Sequence, residues 1–538
     1  MSGIAGIVNL DGAPLDRDLL SRMTEFMSYR GPDAQETWVE GNVGFGHALL
    51  RTCCHAGVLS SADGNLSITA DARVDGDENT DLTDGERILC AYQTWGENCV
   101  DHLIGDFAFA IWDKRQQRLF CARDHFGVKP FFIARAGNSF VFSNTLNVLR
   151  LDARVSDELN ETAIGDYLAF GLNQDLATTV FRDIQRLPPG HSLTLSNGAI
   201  ATRRYWSPEI KNEIRFRDAQ SYVDQFNELF VTAIKDRLRT DRVSISMSGG
   251  LDSTSIAATV RELMRRTGET SVVQAYSTVY DELIPDEERH YSALAASSIG
   301  IPVHHLSADK YELFEGDLNQ PEPFLVSPFA GQFNDLLRLM ASNSRVALTG
   351  YDGDALMNEA RPSLLARAVR PFWTRIKPPK ESQISSRRPA TFRALESKVW
   401  APLFEGYDPG ATRLPLEVRH PFIDVRLVEY LLSIPASPWC ANKHILRCAM
   451  KDLLPALVLN RPKTPLAGDP ALQLSQRASV RWLDSFEVTP QLTRFVNLKL
   501  RRSLAEKKTP DVLWANLRLF ALNHWLTHSL PIDRRMVA

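Results

Sequence analysis

The apolar run Val243-Ser-Ile-Ser-Met247 leads directly into Ser248-Gly-Gly-Leu-Asp-Ser253 and then Thr254-Ser-Ile-Ala-Ala-Thr-Val260, and no other segment constrains the fold as strongly. The first piece reads as a buried strand, the last as the start of a helix, and the glycines between them as a tight turn. Such a junction aims backbone N–H groups at one point, and the first helical turn adds partial positive charge. The result is an anion cradle, to which Ser248, Ser253 and Thr254 add hydroxyls. Asp252 is out of place beside a phosphate unless a cation lies between them, which points to Mg²⁺ bridging that carboxylate to a pyrophosphate. The Gly-Lys-Ser/Thr sequence of P-loop kinases and GTPases is absent. A lone Gly-Gly would be an ordinary turn, but this hexapeptide after an apolar strand points to a nucleotide.

The rest of the chain divides by rhythm. Up to about residue 205 it is rich in predicted strands, at 4–8, 43–49, 107–112, 118–122, 131–134 and 139–143. Asp11-Gly12, Arg30-Gly-Pro-Asp33 and Ala136-Gly-Asn138 mark turns between them, and residues 187–195 read as a last turn and strand. Residues 206–216 are polar and read as a linker. Beyond them Tyr222, Phe226, Leu229, Phe230 and Ile234 recur with helical spacing. Strands are then predicted at 272–279, 302–306 and 345–349, alternating with helices at 288–297 and near 331–342. That alternation implies a parallel sheet with right-handed crossovers. Residues 420–460 and 511–529 read as helical. A chain of 538 residues exceeds one core, so the expected domains are 1–205 and 206–538.

Composition excludes several classes. A net charge of −4 argues against a nucleic-acid partner. No run of about 18 apolar residues suggests a membrane span, and Met1–Val8 lacks the pattern of a signal peptide. The seven cysteines are odd in number and show no CxxC spacing, so reduced thiols in a cytoplasmic protein, with no zinc site, are expected.

The hexapeptide is similar to the pyrophosphate loop of ATP pyrophosphatases, and the whole chain resembles asparagine synthetase B-type enzymes. The matching segments are Gly3-Ile-Ala-Gly6, Arg30-Gly-Pro-Asp33, Phe107–Asp113, Ala122-Arg-Asp124, Gly127-Val-Lys-Pro130, the loop at 248–253, Glu417–Asp424 and Lys443-x-x-Leu-Arg447. The resemblance implies an α/β plus α+β architecture. The N-terminal half would be an Ntn-hydrolase-like β-sandwich layered with helices. The C-terminal half would be a parallel-sheet ATP-pyrophosphatase domain, adenine nucleotide α-hydrolase-like, with a helical C-terminal part.

Departures from the family pattern sharpen the functional expectation. The family's glutaminase nucleophile is a cysteine at position 2, where this chain has Ser2. A serine hydroxyl is essentially never ionised, whereas a thiol is a few per cent thiolate at neutral pH. The family's Asn-Gly-Glu is replaced by Ala70-Asp-Ala72, and the arginine after its Gly-His pair is missing from Gly46-His-Ala-Leu-Leu50. Three losses together imply that the glutaminase-like domain is inactive. In the other half, Gly350-Tyr-Asp-Gly-Asp-Ala355 replaces Gly-Glu-Gly-Ala-Asp-Glu. Asp354 matches the family's second Mg²⁺-holding aspartate. Tyr351 falls where β-lactam synthetases carry a tyrosine that, helped by a glutamate, deprotonates an internal amine. Glu417 is the candidate helper, and Lys443 matches a lysine facing the acyl-adenylate. On their residues alone Tyr351 also fits a core aromatic, and Glu417 and Lys443 surface charges.

Arg361 to Arg393 holds nine basic residues and one acid, Glu381, with Phe372-Trp373 among them. It fits a lid or a docking surface for an acidic peptide, and equally a solvated loop. The expected activity is ATP- and Mg²⁺-dependent amide formation through an acyl-adenylate, with the amine on the same substrate. A lasso-peptide macrolactam cyclase fits best, acting on a peptide delivered with a leader-peptide or protease partner protein; Asp352 and Asn358 add polar groups near the site. Asparagine synthesis from ammonia or glutamine, a β-lactam-type cyclase of small amino-acid-derived substrates, and a non-catalytic nucleotide-binding scaffold are the alternatives.

Overall fold

The structure is a computed structural model, and it describes residues 1–52, 57–76, 81–210, 212–268, 271–359, 388–461, 466–477, 479, 482–483, 485–497 and 510–530. Two antiparallel six-stranded sheets build the N-terminal part. One places the strand Gly3–Asn9 between Val43–Leu49 and Ser139–Ser143. The other places Gly105–Asp113 between Leu66–Val74 and Arg118–Arg123. Side chains alternate across each strand, and here both faces are covered. Ile4 and Val8 join Ala108, Ala110 and Trp112 in the core between the sheets. Ala5 and Ile7 point the other way, against Leu20 and Met23 of the helix Arg17–Phe26. Phe107, Phe109 and Ile111 likewise pack under Ile88 and Tyr92 of the helix Asp84–Trp95. Double-sided burial explains why these strands read as nearly unbroken apolar runs.

The C-terminal part is built on a five-stranded parallel sheet. Its spatial order is Val303–Ser307, Val272–Val279, Arg242–Ser246, Val346–Thr349, Glu417–Arg419. The helices Ala219–Leu238 and Leu251–Thr267 cover one face through Phe226, Phe230, Ile256 and Val260. The helix Ala330–Asn343 covers the other through Leu337 and Met340. Chain order runs outward in one direction from Arg242–Ser246 and then resumes on its other side with Val346–Thr349. The loops leaving these two strands therefore diverge around a crevice, the position where open parallel sheets bind ligands.

Buried ion pairs join the two parts. Arg30 Nη2 meets Asp408 Oδ2 at 2.9 Å, and Arg186 Nε meets Glu405 Oε1 at 2.9 Å. Of the basic stretch 361–393, residues 361–387 lie outside the described residues. Arg388 is buried and its guanidinium donates to the Leu431 and Leu356 carbonyls, so it tethers the chain there rather than adding to a solvated surface.

Candidate active site

The cradle inferred from the sequence forms at the crevice. Gly249 adopts φ +69°, and a Cβ there would lie 2.6 Å from the Ser292 backbone nitrogen, so glycine is required both for conformation and for close packing. Gly250 occupies the N-cap of Leu251–Thr267 and supplies no side-chain cap, which leaves the first helical N–H groups directed at the cavity. Ser253 holds the loop closed: its hydroxyl accepts from the Ser248 N–H at 3.2 Å and donates to the Gly250 carbonyl at 3.3 Å. The neighbouring loop packs against this one so closely that a Cβ on Gly350 would sit 2.6 Å from the Ser253 nitrogen.

A cavity of about 760 Å³ opens over the two loops. Ser248, Gly250, Asp252, Ser253, Tyr351, Asp354 and Lys443 all line it. Lys443 Nζ lies 2.6 Å from Asp252 Oδ2 and 2.7 Å from Asp354 Oδ1. One ammonium thus draws together two carboxylates that are about a hundred residues apart in sequence. That oxygen pair is the donor set a hard divalent cation such as Mg²⁺ takes, so the residues present fit the ion the loop chemistry demands. Lys443 adopts φ +57° directly after Asn442 at φ +52°. Its N–H donates to the Met357 carbonyl at 2.8 Å, which pins the bend that aims the ammonium into the cavity.

Tyr351 is exposed to this cavity, and Tyr407 donates a hydrogen bond to its phenol oxygen at 3.0 Å. Burial, reinforced by Tyr351 alongside, keeps the Tyr407 proton on well above the ordinary range. His420 lies behind the two rings, with Nδ1 2.7 Å from Thr349 Oγ1. Burial pushes its pKa down to about 4, so the imidazole is neutral at physiological pH.

Glu417 does not help Tyr351, and that expectation is corrected. Its strand pairs in parallel with Val346–Thr349, and Glu417 is level with Val346, the first residue of that strand. Tyr351 lies two residues beyond the last, Thr349. The intervening strand measures about 10 Å or more. Glu417 instead lies fully buried at the N-terminal edge of the sheet, where it meets Lys129 Nζ at 3.2 Å, Arg419 Nε at 3.1 Å and the Met1 amine at 3.3 Å. Burial opposes its charge, but Arg419, Lys129 and the amine outweigh it and hold the carboxyl well below the usual range. Asn358 lines the 760 Å³ cavity, whereas Asp352 does not. It is buried at φ +78°, with neither oxygen hydrogen-bonded among the described residues, and burial beside Asp252 pushes its carboxyl well above the ordinary value.

Several lining residues carry no sequence signal. Arg461 pairs with Glu288 at 3.1 Å and lies 4.1 Å over the Tyr291 ring, and Asn442 and Asn460 complete that wall. Tyr407 lies in a stretch with no role legible in the sequence, and His420 is the variable position within the matching segment Glu417–Asp424.

The position of the family glutaminase nucleophile is structurally occupied. Ser2 is buried, and its hydroxyl oxygen accepts from the Leu50 N–H at 3.2 Å. Its N–H donates to Asp71 at 3.0 Å, and Asp71 meets Lys129 at 3.2 Å and Asn144 Nδ2 at 3.1 Å. The space left beside Ser2 is about 20 Å³.

The asparagine synthase profile matches residues 225–409 and 402–527, and the glutamine amidotransferase domain profile matches residues 65–206. The chain belongs to the asparagine synthase family. It is 28% identical over 541 residues to asparagine synthetase (glutamine-hydrolyzing) 3 of Bacillus subtilis, with 86% of each chain covered. It is 25% identical over 545 residues to asparagine synthetase (glutamine-hydrolyzing) 2 of the same organism, covering 86% of this chain and 71% of the relative. Amidase chry2 of Gibberella zeae is 25% identical over 354 residues, covering 57% and 49%. Family membership makes this chain an ATP-dependent, AMP-forming carbon–nitrogen ligase of the asparagine synthetase type, with a glutamine amidotransferase-type fold in front of the parallel-sheet domain. No helix of the described residues is long and apolar enough to cross a membrane.

Proposed function

We propose that this ligase activates a carboxylate as its acyl-adenylate and joins it to an amine carried by the same substrate, without taking ammonia from glutamine. Closure of a lasso-type peptide macrolactam is the form of this reaction that fits best. The observation that carries the reading is the site around Ser2. The hydroxyl accepts from the Leu50 N–H, Asp71 is held in ion pairs, and only a small space of about 20 Å³ lies beside them. Tyr351 in place of the family glutamate supports it independently.

In this mechanism the Ser248–Ser253 loop receives the pyrophosphate end of ATP. Asp252 and Asp354 would hold Mg²⁺, which when bound neutralises charge on the departing pyrophosphate. The substrate carboxylate attacks the α-phosphorus, and the bond to the bridging oxygen breaks. The incoming amine passes its proton to the Tyr351 oxygen as that phenol gives its own to the departing AMP phosphate, and the Tyr407 hydroxyl steadies the oxygen by donating to it. Lys443 presents its ammonium to the oxyanion of the tetrahedral intermediate. Collapse of that intermediate breaks the acyl–phosphate bond and yields amide and AMP.

Glutamate release from glutamine, measured with purified protein, ATP and Mg²⁺, tests the proposal. The expected result is no release above a Ser2→Ala control. Release that disappears in Ser2→Ala, or asparagine formed from aspartate and ammonium, would return this chain to asparagine synthesis.

A further inference from the structure

A second cavity, of about 260 Å³, adjoins the nucleotide cavity, and Tyr351 lines both. Three segments far apart in sequence enclose it: the turn Pro323–Leu325, the helix Ala330–Asn343, and the helix Trp400–Tyr407 with the residues that follow it. Phe324, Leu325, Phe333 and Leu403 supply apolar surface, and Tyr407 presents its ring beside Phe333, with centroids 5.1 Å apart. Gln320 and Asn334 are neutral polar members of the wall, and no acidic or basic side chain among the described residues lines it. The nucleotide cavity, by contrast, carries Asp252, Asp354, Lys443, Arg447 and Arg461.

The chemistry of the two spaces divides a substrate in two. A carboxylate about to be adenylated must lie among the charges, near Lys443. Whatever is attached to that carboxylate and passes Tyr351 enters a space that, among the described residues, offers an aspartate's second charge no cationic partner, and burying a charge without one is costly. The same space rewards an aromatic or branched aliphatic group. We propose that this cavity is the subsite for an apolar side chain flanking the activated carboxylate, so that the substrate is a carboxylate within a hydrophobic segment and not free aspartate. The inference rests on the proposed carboxylate activation at the Ser248 loop, and it adds the substrate class.

Gly406 provides the test. It lines the cavity from within a helix at negative φ, and an added Cβ would meet only Leu325 Cδ2 at 3.8 Å. Gly406→Leu therefore fills the space without straining the backbone, and Gly406→Ala adds a methyl that the wall accepts. ATP–pyrophosphate exchange would be measured with free aspartate, N-acetyl-Phe-Asp-amide and N-acetyl-Lys-Asp-amide. The expected result is a kcat/KM at least about tenfold higher for the Phe probe, the scale of one filled apolar pocket. Gly406→Leu should abolish that advantage while leaving the other two probes within about twofold, and Gly406→Ala should keep it. Equal exchange with free aspartate, or a Phe preference that survives Gly406→Leu, would overturn the subsite. Exchange with none of the probes would count against carboxylate activation itself. Calorimetric binding of the Phe probe would then judge the cavity separately: binding lost in Gly406→Leu supports it, and no binding or undiminished binding refutes it.

Discussion

Glu417→Gln separates a structural carboxylate from a catalytic one. Glu417 and Asp71 are the two carboxylates facing Lys129, which is almost wholly inaccessible, and Arg419 and the Met1 amine lie against Glu417 as well. The substitution keeps size and shape but leaves Asp71 to balance these cations in a dry interior. Breaking one side of a buried ion pair costs about 3–5 kcal/mol, because the remaining charge stays buried without compensation. With about 2.1 cal/mol/K of unfolding entropy per residue, a chain of 538 residues responds with a fall in the thermal midpoint of about 3–4 °C. The pH dependence has a definite sign. The folded-state carboxyl lies below its ordinary value of 4.5, so its stabilisation is complete above that value and is lost as pH falls toward the folded value. Glu417→Gln should flatten that acid limb. Replacing both partners, as Lys129→Met with Glu417→Leu, should recover part of the loss seen for Glu417→Leu alone, because the Lys129 ammonium is no longer buried there, although Arg419 and the Met1 amine still lack Glu417. Differential scanning calorimetry across pH 3.5–7, with turnover measured well below the melting range, reads all of this. A variant with unchanged midpoint and turnover reduced tenfold or more would refute the reasoning and return Glu417 to the chemistry.

Asp252→Asn should abolish AMP and pyrophosphate formation while leaving the fold intact, as measured by exchange assay and circular dichroism. Lys443→Ala should lower turnover by about 10²–10³-fold, the scale for losing one oxyanion partner; calorimetry should also show tighter Mg²⁺ binding, because the ammonium that competes for Asp252 and Asp354 is gone. Tyr351→Phe should spare pyrophosphate exchange but slow amide formation, and Tyr407→Phe should give a smaller effect of the same kind; equal loss of both steps would assign Tyr351 to pocket shape. His420 titrates near 4 when folded and 6.5 when unfolded, so the unfolded chain binds the extra proton between these values and stability should fall as pH drops from 6.5 to 4. Melting curves of His420→Asn should lack that slope.

The strand–turn–helix junction around residues 248–253 was legible because its determinants are local. An apolar strand, two glycines and a helix start are adjacent in the chain, and their backbone demands are met within a dozen residues. The parallel sheet was legible from its alternation with helices, and Val272–Val279 matches its expected bounds. The strand Leu66–Val74 was not recognised, because Thr69, Asp71 and Arg73 are buried there as polar groups with partners from other segments, which disguises its alternation. Lys443 and Asp354 were placed only through family resemblance, since nothing near either residue announces the other.

By itself the sequence determined the helix–strand alternation behind the parallel sheet, the glycine turn at 248–253 and the absence of a thiol at position 2. Those properties depend on neighbours in the chain. Tertiary structure alone decided that Glu417 faces Lys129 and not Tyr351, because parallel register is set by pairing between residues about seventy apart. It also decided that a cavity with no charged side chain among the described residues adjoins the one over the 248–253 loop, because its walls come from segments that meet only when the helices pack against the sheet.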